Sequence, residues 1–213
     1  MKVIAHRGWS QGDGENTMEF FTRTLGDNRV EGVELDIWGD STRGILVTHN
    51  RPEEDQPSLP LQNVLNLFQS TTHEIFIECK MFSESTFQEI ITTIKKYHLE
   101  RRAVLFGFPE IARLFPWDKR DGIRLGIISK YPWNIKRDIE TYNPDTILFG
   151  WNTKSERLAF KIWWSVFSSI SKIVKKYPQI KFVAGVMFNE KDRLWLEKQG
   201  IYAATADKPF VWK

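Results

Sequence analysis

Two carboxylates one residue apart, Glu34 and Asp36, sit in the run Val33-Glu34-Leu35-Asp36-Ile37, and Glu78 and Lys80 repeat that spacing in Ile75-Phe76-Ile77-Glu78-Cys79-Lys80. Side chains alternate along an extended strand. Val33, Leu35 and Ile37 therefore face one way and Glu34 and Asp36 the other; Ile75, Ile77 and Cys79 likewise oppose Phe76, Glu78 and Lys80. Three carboxylates and a lysine brought together are badly desolvated unless a cation and an anion join them. Oxygen-only donors select a hard divalent ion, Mg²⁺ or Ca²⁺. Each spacing alone is common in surface ion pairs, and it is their position at the ends of consecutive apolar runs that points to a site.

Two histidines occupy similar places. His6 closes the run Lys2-Val3-Ile4-Ala5 and is followed by Arg7 and Gly8, and His49 follows Gly44-Ile45-Leu46-Val47-Thr48. With an ordinary pKa of about 6.5, a histidine can give or take a proton near neutrality, so the pair could serve as general acid and base. Arg7 offers a planar fork for phosphate oxygens, Gly8 lets the chain turn tightly beside it, and Lys80 adds a point charge for the same anion. Trp9, Trp38, Phe106 and Trp151 stand at or just after apolar runs, where an aromatic wall for an alcohol moiety would stand, with Trp151 the strongest of them.

The elements that must hold these residues alternate between strand-like and helix-like patterns. Eight strand-like runs cover 2–5, 33–36, 75–79, 104–106, 124–127, 146–149, 181–186 and 202–205. Eight β-α units are what a closed (β/α)8 TIM barrel requires, and barrel enzymes place their sites at the C-terminal ends of the strands. A doubly wound open sheet is the structural alternative. Asn16 followed by Glu19 has the form of a capping box, and Pro60 opens a helix with Leu61, Val64, Leu65 and Phe68 as its core stripe. A single long helix is expected over 156–177, with Ile162, Trp163, Val166, Phe167, Ile170, Ile173, Val174 and Tyr177 in one stripe. Packing of that stripe against the strands is preferred to an interfacial contact with a membrane surface, which its lysine edge also suggests.

The chain has 213 residues, 41% of them hydrophobic, enough for one sizeable core, so a single domain over 1–213 is expected. A net charge of +3 is too small to imply a nucleic-acid partner, whereas small anionic substrates fit it. No stretch has the length of a membrane span, the N-terminus has no apolar signal-peptide core, and the lone Cys79 cannot form an internal disulfide. A cytoplasmic protein is the expectation.

Taken in order, His6-Arg7-Gly8, Glu15-Asn16-Thr17, Glu34-Leu35-Asp36, Thr48-His49, Glu78-Cys79-Lys80 and Thr205-Ala206-Asp207-Lys208-Pro209 resemble the glycerophosphodiester phosphodiesterase family of phospholipase-C-like barrels. The resemblance implies hydrolysis of a glycerophosphodiester to sn-glycerol 3-phosphate and an alcohol. By motif position it implies Glu34, Asp36 and Glu78 as metal ligands, His6 and His49 as the acid-base pair, Arg7 and Lys80 on the phosphate, and Glu15 supporting them. The chain also departs from the family's pattern. Asn50 replaces the usual Asp after His49, and only 51–59 separate Asn50 from Pro60, where the family carries a longer insertion. Ala184-Gly185-Val186-Met187 stands in place of Trp-Thr-Val-Asn, the fourth strand ends Phe106-Gly107-Phe108, and Ala206 is an extra residue. These departures bear on the substrate, so a sugar-phosphate diester or a lysophospholipid is the alternative within this chemistry. A non-catalytic phosphate-binding barrel is the alternative outside it.

Overall fold

A computed structural model describes residues 1–9, 14–40, 42–53, 58–81, 83–120, 122–151 and 153–208. Pro209 of the closing motif lies outside them. Among the described residues ten strands form: β1 (Lys2–Ala5), β2 (Gly32–Asp40), β3 (Gly44–Val47), β4 (Leu59–Pro60), β5 (Glu74–Cys79), β6 (Ala103–Gly107), β7 (Arg124–Ser129), β8 (Thr146–Phe149), β9 (Lys181–Met187) and β10 (Ala203–Ala206). Eight of them run parallel in the order β1-β10-β9-β8-β7-β6-β5-β2, and a β1–β2 pairing closes the ring. The result is the expected (β/α)8 barrel; seven of the eight expected runs lie within its strands, and the run 202–205 begins one residue before β10. β3 and β4 form an antiparallel extension on β2, which continues past Asp36 to Asp40.

The helices are α1 (Met18–Leu25), α2 (Leu61–Phe68), α3 (Glu84–Lys96), α4 (Pro109–Ala112), α5 (Ile135–Tyr142), α6 (Lys154–Val166), α7 (Ile170–Lys176) and α8 (Glu190–Lys198). Alternation divides the buried apolar side chains into two cores. Val33, Leu35, Ile37, Ile75 and Ile77 point outward against helix stripes such as Leu61, Val64, Leu65 and Phe68 of α2. Ile4, Phe76, Val104, Phe106, Leu148, Val183 and Ala203 fill the barrel interior. Burying each such Leu, Ile, Val or Phe contributes about 1.5–3 kcal/mol, so the pattern of period two largely sets the barrel.

Two expectations are corrected. The cap of α1 is Thr17, whose hydroxyl accepts from Phe20 N, and not Asn16, which is buried with a φ of 56° and faces the barrel. The 156–177 segment breaks into α6 and α7, and the expected stripe is not buried as a unit. Phe160 and Trp164, off that stripe, pack inward, whereas Ile162, Val166 and Phe167 are exposed. The cause is position. The partners of α6 cluster at and beyond the C-terminal ends of strands: Phe149 at the end of β8, Trp133 after β7, Trp151 after β8, and Asp192 and Trp195 in α8 after β9. This helix is therefore an additional one on the C-terminal rim, and α7, whose Val174 approaches Gly200 before β10, runs along the outside of the barrel.

Candidate active site

The first strand ends in a tight left-handed turn. Arg7, Gly8 and Trp9 all have positive φ, at 49°, 77° and 64°. A side chain at Gly8 would also crowd the Phe21 ring at 3.1 Å, so glycine is favoured there. The turn is braced by Trp9 N donating to His6 O, Asn16 N to Arg7 O and the Thr24 hydroxyl to Gly8 O at 2.6 Å. Its effect is to aim the Arg7 side chain across the barrel mouth. Nε lies 3.0 Å from Asp36 Oδ2, Nη1 lies 2.7 Å from Glu15 Oε2, and the backbone N–H donates to Glu34 Oε2 at 3.1 Å.

In-register pairing of β2 with β5 sets Asp36 beside Glu78. Lys80 Nζ bridges them, 2.9 Å from Asp36 Oδ1 and 2.5 Å from Glu78 Oε1. The β2–β3 hairpin carries His49 back to the same place, with Nδ1 3.3 Å from Asp36 Oδ2. Trp38, at the base of the hairpin, donates its indole N–H to His49 O, so it supports this histidine and does not wall the cavity. His6 Nδ1 lies 2.6 Å from Asp207 Oδ1, and its Nε2 lies 3.7 Å from Glu34 Oε2.

Burial and charge set the protonation of this cluster. Burial, reinforced by the Asp36 charge, pushes Glu34 up to about 8. Burial raises Glu78 as well, with Lys80 opposing it. Burial also resists ionisation of Asp36, but the hydrogen bond with His49 and the charges of Lys80 and Arg7 outweigh it and hold Asp36 far below the usual carboxylate range. For His6, burial disfavours the charged form, yet Glu34 and Asp207 together raise its pKa. Glu34 and Glu78 thus ionise reluctantly because they are buried, while Asp36 between them stays charged. Glu34, Asp36 and Glu78 each offer an oxygen within 4.8 Å of the other two. Buried Glu34 Oε1 has no hydrogen-bond partner among the described residues. An oxygen-only triad with an orphaned buried oxygen fits a hard divalent cation.

One cavity at the C-terminal rim brings the expected residues together. His6, Arg7, Glu15, Glu34, His49, Glu78, Lys80 and Trp151 line it, with Asp36 beneath them. Phe106 lines it too, whereas Trp9 packs against the outer core and under Arg29. Across 97% of this chain and 92% of its own, a glycerophosphodiester phosphodiesterase from Parabacteroides distasonis superposes with a TM-score of 0.73 at 14% identity. This is the fold of the glycerophosphodiester phosphodiesterases. A phosphodiesterase from Oleispira antarctica, solved with the product sn-glycerol-3-phosphate, matches with a TM-score of 0.70 at 16% identity, covering 98% of this chain and 94% of that one. A calcium-dependent phosphoinositol-specific phospholipase C from a Pseudomonas species shares the same architecture (TM-score 0.66, 12% identity, 97% and 88% coverage). No protein-family model matches the chain, and no curated protein matches it by sequence.

Asp207 and Asn16, present in the motifs above without a role in the site, also belong to it. Asp207 reaches His6 because β10 and β1 are neighbours, with Ala206 in register with Ala5. Both side chains stand one residue beyond their strands, a relation that follows from barrel closure. Asn16 donates its amide to Asp36 Oδ2 at 3.0 Å and accepts from Asp36 N at 3.3 Å.

Proposed function

We propose that the chain hydrolyses a glycerophosphodiester to sn-glycerol 3-phosphate and an alcohol, using Mg²⁺ or Ca²⁺ held by Glu34, Asp36 and Glu78. The observation that carries this reading is the convergence, in one rim cavity, of a carboxylate triad, two cations and two histidines. Structures of the same fold with a glycerol phosphate product and with calcium dependence support it.

When bound, the divalent ion supplies positive charge to the phosphoryl oxygens. Arg7 and Lys80 flank the same position and stabilise the charge that grows as the phosphorus is attacked. Glu15 fixes one guanidinium nitrogen of Arg7 and so limits its swing. One histidine takes the proton of the nucleophile, and the other protonates the departing alcohol oxygen. In balance, one water is consumed, one P–O bond forms and one breaks; an intervening attack by a substrate hydroxyl would leave this net equation unchanged. Trp151, buried against the cavity, forms part of the wall for the alcohol. In this reading residues 1–213 act as one catalytic domain. Its place is the cytoplasm, where buried Cys79 stays reduced, and no helix among the described residues is long and apolar enough to cross a membrane.

EDTA is expected to abolish activity, and Mg²⁺ or Ca²⁺ to restore it. His6→Ala and His49→Ala should each lower kcat by about 10²–10⁴-fold with an unchanged melting transition. Full turnover by either variant would sink the acid-base assignment.

A further inference from the structure

The rim around α6 presents to the cavity rings that are not fully buried in either core. Starting at Tyr131, the sequence of rings is Trp133, Trp163 and Phe167, with successive centroids 4.8, 5.0 and 4.8 Å apart. All four line the same cavity as His6, Arg7 and Lys80. They remain open to water there, Trp133 at 54% and Phe167 at 69% exposure. An apolar surface of that extent left in contact with solvent marks a binding surface. The cavity measures about 1200 Å³, above the roughly 300–1,000 Å³ of ordinary ligand pockets. A small glycerophosphodiester is polar throughout. It would occupy the charged end and leave the ring wall wet.

We propose that the substrate is a glycerophosphodiester carrying one long acyl chain, its phosphate at Arg7 and Lys80 and its chain along Trp133, Trp163 and Phe167. The inference rests on the phosphodiesterase reading above and gives that site its substrate class. The bond that breaks is the same and the product differs: the hydroxyl of water ends on phosphorus, its proton on the departing headgroup oxygen, and an acylated glycerol phosphate leaves in place of sn-glycerol 3-phosphate. The rings stand in single file, which suits one chain and not two. A membrane surface is the less apt occupant. It would draw on Leu158 and Val166, which lie outside the cavity, away from the four rings that share it with Arg7 and Lys80.

The test compares kcat/KM of the whole chain, with Mg²⁺ or Ca²⁺ supplied, on glycerophosphocholine and on its butanoyl, octanoyl and dodecanoyl esters below their micelle concentrations. Expected is a rise of about fourfold per added methylene over the length of the wall, as burial of each CH₂ predicts. In a Trp133→Ser/Phe167→Ser double variant the dodecanoyl-to-unacylated ratio should fall at least tenfold. Turnover of glycerophosphocholine with no gain from the chain would overturn the acyl site and leave the phosphodiesterase reading standing. A gain that appears only with vesicles, and vanishes in Leu158→Ser/Val166→Ser, would overturn it in favour of a membrane-docking face. No hydrolysis of any of these diesters would overturn both readings together.

Discussion

His6 is held through its Nδ1 by the Asp207 carboxylate at 2.6 Å, which leaves Nε2 turned toward Glu34 and the cavity. A carboxylate on one ring nitrogen fixes both the tautomer and the plane of the imidazole. Asp207→Asn keeps the size and loses that control, so kcat should fall about 10²–10⁴-fold while KM changes little. Steady-state kinetics on a variant with an unchanged melting transition would check this, and a kcat near wild type would remove Asp207 from the site. Asp207 and Asn16 stand in the motifs that carry the family resemblance, but their contacts were not legible in the sequence, whereas the shared faces of Glu34, Asp36, Glu78 and Lys80 were. The difference is physical. The latter four follow from alternation within a strand, which any extended run imposes. Asp207 needs closure of the ring, and Asn16 needs a left-handed turn at a φ of 56° that sends its amide to Asp36. Its Asn-x-x-Glu spacing mimics a helix cap, but Thr17 takes the cap and frees Asn16 for the carboxylate.

Strands were more legible than helices for a similar reason. A run of four to seven alternating apolar residues has few other uses, and the expected runs at 2–5 and 146–149 match β1 and β8 end for end. An amphipathic stripe, by contrast, says that one helix face is apolar without saying what covers it. In α6 the inward face is Phe160 and Trp164, stacked around Trp151, Phe149 and Trp195, and the rest of its apolar surface turns to the rim and the cavity. The ends of β8 and β9 show the same dependence on neighbours. A Cβ at Gly150 would fall inside the van der Waals shell of the Gly185 backbone. The pair lets the two strands approach where the cavity wall begins, directly before Trp151. Gly150→Ala should destabilise the fold by about 1–3 kcal/mol, the usual cost of overpacking a tight contact. Chemical denaturation would measure it, and a stability equal to wild type would show that these strand ends separate freely.

On the scale of the whole molecule, charge is concentrated at both ends of the barrel and excluded from the middle. The C-terminal end carries the site. At the N-terminal end Glu74, the first residue of β5, meets Arg124 at 2.8 Å, Lys2 at 3.1 Å and Lys181 at 3.4 Å, and accepts from the Tyr202 hydroxyl at 2.7 Å. One carboxylate thus ties together the starts of β1, β5, β7 and β9 and the residue before β10. Between the two ends lie Ile4, Phe76, Val104, Leu148, Val183 and Ala203, an apolar plug that separates them. Burial opposes ionisation of Glu74, but the Tyr202 hydrogen bond and the charges of Arg124 and Lys181 prevail and bring its pKa down from 4.5 to about 2. A carboxylate depressed in this way binds its proton more readily in the unfolded chain than in the folded one. Its stabilisation is therefore complete above pH 4.5 and is lost as pH falls from there toward 2. Glu74→Gln should be less stable at neutral pH by about 3–5 kcal/mol, because three cations lose their counter-charge. Its stability should also decline less steeply than wild type between pH 4.5 and 2. Denaturant titrations of both proteins at stepped pH would measure the two slopes, and parallel slopes would dismiss Glu74 as a source of acid sensitivity. Because the apolar plug insulates the site, kcat at neutral pH should be the same in both.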